Sequence, residues 1–162
     1  MPGPFKNLCA QLSQSLVPAL ASAGYCGPVH FHHREIRYDF KRRAGNGNQV
    51  ISVLFDKYRN PAFSVQLYLE PPEGIHSLVT HGGALVVGDV APNYRTWPFS
   101  LPTFRAERPK WQRLFGKSAS PERAVDRCIA LMPEIEAWWS KQQSSRHILT
   151  GRIVYRCSAK DA

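Results

Sequence analysis

The run IRYDFKRRAGNGNQVISVLF, residues 36 to 55, alternates apolar and polar side chains on both sides of a cluster of glycine and asparagine. Ile36, Tyr38 and Phe40 fall on one side and Arg37, Asp39 and Lys41 on the other, the period of a strand half covered by a core. Asn46-Gly47 is a strong hairpin dipeptide, because both positions tolerate positive φ. The return strand carries Ile51, Val53 and Phe55 on one face. After a turn over 56–61, Phe63, Val65, Leu67 and Leu69 alternate with Ser64, Gln66 and Tyr68. Three consecutive strands with short turns predict an antiparallel meander.

Helical periods flank it. Phe5, Leu8, Cys9, Leu12, Leu16 and Leu20 share one face of an N-terminal helix, which Gly24 is placed to stop. Pro18 is expected to kink or split that helix. Ser120-Pro121-Glu122 opens a late helix with a capping hydroxyl, a proline at the first position and an acid at the positive end. Val125, Cys128, Ile129, Met132, Ile135 and Trp139 continue its apolar face, and Pro133 should bend it. Ala84 to Val90 is expected as a fourth strand, with Gly82-Gly83 a glycine turn before it. Ile148 to Tyr155 is either a closing strand or a packed tail. The reading is α+β: an antiparallel meander sheet of about four to five strands packed against an N-terminal and a C-terminal helix, with residues 1–162 one domain.

Hydrophobic residues at 43% and charged residues at 20% exclude a disordered chain. Lys and Arg number 21 against 12 Asp and Glu, a formal net charge of +9, which favours acidic partners: another protein, nucleic acid or an anionic surface. Cys9, Cys26, Cys128 and Cys157 contain no Cys-x-x-Cys spacing and read as reduced thiols of a cytoplasmic protein. Gln11, Ser13, Gln14 and Ser15 interrupt the segment after Lys6, so it is not expected to be a secretion signal. No run reaches the length of a membrane span.

The order of features resembles a family of short bacterial proteins grouped only as a domain of unknown function. The likeness rests on a helix ending in Gly24-Tyr25, the basic strand Arg37 to Arg43, the paired strands Val50–Phe55 and Phe63–Leu69, and the Ile135 to Trp139 stretch. It covers roughly Phe5 to Trp139. What it implies is an α+β fold; it brings no catalytic residues, no cofactor and no established activity.

Candidate chemistry is sparse. His30 and His32 have the spacing of two metal ligands on one strand face, and a third would have to come from Cys26, His76 or His81. Polar residues at a strand entrance are the plainer explanation, since two histidines without a fixed third partner are common by chance. His81-Gly82-Gly83 is similar to an esterase oxyanion loop, but the chain has no Gly-x-Ser-x-Gly elbow to go with it. Gly116-Lys117-Ser118 ends like a phosphate-binding loop, yet Trp111 occupies the position of the loop's first glycine. Glu35, Asp39, Asp56 and Glu70 are single carboxylates with no pairing that suggests acid–base work. Trp138-Trp139 either anchors a partner or joins the core.

The basic-aromatic stretch carries more. Phe104, Arg105, Arg108, Lys110, Trp111, Arg113, Phe115 and Lys117 interleave cations and rings, a composition suited to phosphates and unpaired bases. Lys41-Arg42-Arg43, with Arg37, forms a second basic run. The packing alternative is a short helix that turns Trp111, Leu114 and Phe115 inward. These features lead to the expectation of a non-enzymatic binding or adaptor domain, without cofactor, whose basic surface engages an acidic protein partner. A single-stranded nucleic-acid binder is the alternative, and a metal-dependent hydrolase around His30 and His32 comes third.

Overall fold

The computed structural model describes residues 3–31, 36–55, 58–72, 80–86, 104–106 and 120–154. Helices α1 (Pro4–Gln11) and α2 (Val17–Ser22) are joined by a π-helical turn over Leu12–Leu16. Strands β1 (Arg37–Ala44), β2 (Gly47–Leu54), β3 (Ala62–Glu70), β4 (Thr80–Val86) and the short β5 (Phe104–Arg105) follow. Then come α3 (Pro121–Ala130), α4 (Met132–Lys141) and β6 (Ile148–Val154). The sheet runs β1-β2-β3-β4-β6, with β5 added to β3, and every pairing is antiparallel. This is the α+β meander that the alternation predicts.

Pro18 acts through the turn before it. Its ring would crowd the carbonyl four residues back, and the wider π turn opens that space without ending the helix. Leu8, Leu12, Leu16 and Leu20 thereby stay buried. The helix stops where expected: Gly24 has φ +86, its N–H donates to Ala21 O at 2.9 Å, and the Tyr25 N–H donates to Leu20 O at 3.0 Å. Those two bonds are the Schellman pattern. Ser13, one of the polar residues interrupting the apolar run, accepts the Phe31 N–H at 3.0 Å and ties the next segment to the helix.

Four details depart from the sequence reading. The hairpin loop is Gly45-Asn46, since Ala44 pairs with Gly47; Gly45 alone takes a positive φ (57), the pattern of a type II′ loop. Ile36 lies just before β1 and is 53% exposed, while Tyr38 and Phe40 are buried. Strand β4 begins at Thr80, and His81-Gly82-Gly83 sits inside the ladder opposite Ile153, Arg152 and Gly151, not in a turn before it. The glycines are tolerated there because β4 is paired along its backbone, and Gly83 stands directly across from the fully buried Tyr68. The late helix is broken outright at Leu131, because Pro133 cannot continue the hydrogen-bond ladder and instead occupies the first turn of a new helix.

Ile148–Val154 forms the closing strand, with Val86 opposite Ile148 and Thr80 opposite Val154. One sheet face, formed by Tyr38, Phe40, Ile51, Val53, Val65, Leu67, Ala84, Val86 and Ile148, packs in a single core with the leucines of α1–α2, Val125 and Cys128 of α3, and Ile135, Trp138 and Trp139 of α4. Both tryptophans are therefore core; Trp138 Nε1 donates to Thr150 Oγ1 at 2.9 Å and Trp139 Nε1 to Tyr25 Oη at 2.7 Å. Edge strand β1 is blunted midway by Cys26, whose N–H and C=O both bond Lys41 (2.8 and 2.7 Å). No helix among the described residues is long and apolar enough to cross a membrane.

Candidate functional site

Strand alternation divides the basic run of β1 between two environments. Arg37, Asp39, Lys41 and Arg43 share the face away from the helices; Arg42 belongs to the helix side.

On the outer face the register places Asp39 opposite Ser52, and Ser52 opposite Gln66. Arg37 Nε donates to Asp39 Oδ1 at 2.8 Å, and its Nη2 donates to Tyr68 Oη at 2.6 Å and Ser52 Oγ at 3.3 Å. Ser52 in turn donates to Asp39, and Tyr68 Oη approaches Asp39 Oδ2 at 3.4 Å. Ser52 and Tyr68 are fully buried. Burial pushes the Tyr68 phenol up to about 12, with Asp39 adding to the rise and Arg37 opposing it. A serine that is sealed from solvent and hydrogen-bonded to a carboxylate already paired with arginine is suited to holding strands together, not to attacking a substrate. Further along the face, Lys41 Nζ and Asn48 Nδ2 donate to Glu70 at 2.8 and 3.0 Å. Arg43 beyond them is exposed and has no partner among the described residues.

Arg42 is committed elsewhere. Its Nη1 donates to Ala23 O at 2.8 Å, its Nε and Nη2 to Gln49 Oε1 at 2.9 and 2.6 Å, and its Nη2 to Glu136 Oε2 at 2.6 Å. The guanidinium carbon lies 4.4 Å from the centre of the Tyr25 ring. Tyr25 Oη donates to Glu136 Oε1 at 3.2 Å, and burial, then the Glu136 charge, holds this phenol well above its ordinary range. One side chain thus joins the end of α2, strand β2 and helix α4.

The second basic run is placed only in part. Arg105 lies half-buried in β5, and Phe104 is buried, stacked on Phe63 with centroids 5.0 Å apart. Arg108, Lys110, Trp111, Arg113 and Lys117 lie outside the described residues, as does His32. His30 is exposed, and no group of three potential metal ligands occurs among the described residues. Cys9, Cys26 and Cys128 are free thiols. Burial pushes Cys9 up to about 11 and Cys128 up to about 12, so both are held in the unreactive protonated form.

The sequence reading missed a surface dyad. Glu134 accepts His147 Nδ1 at 2.9 Å, the His147 N–H at 3.0 Å and the Ser145 hydroxyl. Burial works to raise its pKa, but the hydrogen bonds from Ser145 and His147 outweigh it and hold the carboxyl below its ordinary value. Only an acid at the start of α4 hinted at it; the histidine comes from a turn that folding brings back.

A depressed carboxyl stabilises the fold above its unfolded pKa of about 4.3 and loses that contribution as pH falls through the folded value. Glu134→Gln should therefore lower the melting temperature at pH 7 and flatten its decline in the acid range. Melting curves from pH 3 to 7 check this; parallel curves for the two proteins would show that the carboxylate is not coupled to folding. In comparisons with known proteins, no family model matches the chain, and neither a curated protein nor a solved structure shows significant similarity to it.

Proposed function

We propose that this chain is a non-enzymatic binding domain, working in the cytoplasm, that engages an acidic segment of another protein. The observation that supports the reading is how the charges are used. Asp39, Glu70 and Glu136 each stand in an internal ion pair, and Glu134 is hydrogen-bonded to His147; of the described acids only Glu122 and Asp126 are exposed without an ion pair. Lys6, Arg43, Arg59, Lys141 and Arg146 are exposed with no partner among the described residues. Among the described residues, unpaired surface cations thus outnumber unpaired acids five to two, an excess that attracts and orients an acidic partner.

The test compares a fluorescently labelled acidic peptide of mixed Asp, Glu and Leu with a single-stranded RNA of equal length, each titrated at low and moderate salt. The peptide should bind the more tightly of the two and weaken about threefold at moderate salt, as screening of a few surface charges requires. RNA that binds more tightly, with affinity falling by orders of magnitude over the same salt range, would replace this reading with the single-stranded nucleic-acid one. No binding of either probe at low salt would end both.

A further inference from the structure

We infer that the hollow between the start of α1 and the turn from β2 to β3 takes one apolar side chain of the acidic partner, with the partner's carboxylates flanking that side chain. The inference rests on the proposed acidic partner and says where and how it is read. The hollow is about 280 Å³ and is lined by Gly3, Pro4, Phe5, Lys6, Arg59 and Pro61. Pro4, Phe5 and Pro61 make an apolar floor, and the Phe5 ring is held there edge-on to Phe55 with centroids 5.0 Å apart. Among the described residues of the lining, Lys6 and Arg59 are the charged members, both exposed and without a described partner, and none is a carboxylate.

Size and charge together select the occupant. Pockets for metabolites and cofactors span about 300 to 1,000 Å³ and enclose most of the ligand. This hollow is smaller and open, which suits a single leucine-sized side chain presented by a longer chain. Two cations with no partner among the described residues then ask for carboxylates on either side of that residue. Arg59 adds a second feature: its φ is +56, a left-handed conformation that glycine adopts freely and arginine adopts with strain. Among the described residues of this turn, the chain keeps a cation where a glycine would be more comfortable.

The probe is acetyl-Asp-Asp-Leu-Asp-Asp-amide, followed by backbone amide shifts. Perturbations should centre on Phe5, Lys6, Tyr58 and Arg59. Replacing the peptide's leucine with glycine should weaken binding about fivefold or more, as loss of a buried apolar group requires. Lys6→Ala and Arg59→Gly should each weaken it about threefold. Arg59→Gly relieves the positive φ, so its melting temperature should equal or exceed that of the parent protein, which separates lost affinity from lost folding. Perturbations centred on Arg43, or equal binding of the leucine and glycine peptides, would overturn this site while leaving the acidic-partner reading intact. No binding of any acidic peptide would overturn both.

Discussion

Gly27→Ala is expected to destabilise the fold by about 3 kcal/mol, the upper range for forcing an atom into a packed core. A Cβ at this position would lie 2.4 Å from Cδ1 and 2.9 Å from Cγ of Phe40. Neither partner can give way. Phe40 is a core residue of β1, 1% exposed, and the ring centre of the buried Phe31 is 6.0 Å from its own. On the other side, the adjacent Cys26 is fixed to Lys41 by two backbone bonds, so the loop cannot back off without losing both. The control is Gly151→Ala, where an added Cβ meets nothing within 4 Å and the effect should stay within about 0.5 kcal/mol. Urea unfolding of the two variants measures the contrast. Equal midpoints would mean that the segment after α2 does not lie against Phe40.

Arg42→Ala is expected to cost about 2 to 3 kcal/mol. Removing one member of a buried ion pair typically costs 3–5 kcal/mol, and the side chains of Arg42 and Glu136 are 25% and 38% exposed, which lowers the figure through solvent screening. What remains exceeds an ordinary surface pair because several bonds go at once: those to Ala23 O, Gln49 and Glu136, and the stacking on Tyr25. Arg42→Lys should recover less than half, since an ammonium cannot reach three elements with a planar fork. The double variant Arg42→Ala, Glu136→Gln should be less destabilising than the sum of its parts. Strict additivity in chemical denaturation would show that Arg42 and Glu136 do not act on each other. By contrast, Arg43, its neighbour in sequence, should be replaceable at little cost to stability, because it stands exposed with no partner among the described residues.

That difference between adjacent arginines illustrates how far the chain can be read without its fold. Alternation in β1 already separates Arg42 from Arg37, Lys41 and Arg43, because a strand's side-chain period is two residues. It cannot say that Glu136, 94 residues away, will come to meet the inward one. The same holds for the dyad of Glu134 and His147 and for Tyr68. A tyrosine on the polar side of an alternating strand reads as solvent-facing, whereas β3 becomes a central strand buried on both faces.

What the sequence determined by itself is local: the meander from Arg37 to Glu70, the stop at Gly24, the cap at Ser120 and the positions of the prolines. Each rests on steric and hydrogen-bond preferences that act within a few residues. Tertiary structure alone decided that Pro18 would be absorbed by a π turn and that Pro133 would break its helix. It also set β6 beside β4 and brought Asp39, Glu70 and Glu136 to their cations, while Lys6, Arg43, Arg59, Lys141 and Arg146 stayed without a partner among the described residues. Those outcomes depend on which distant surfaces must be buried together, and a backbone carbonyl or a charge finds its partner only after the core has placed the two elements side by side.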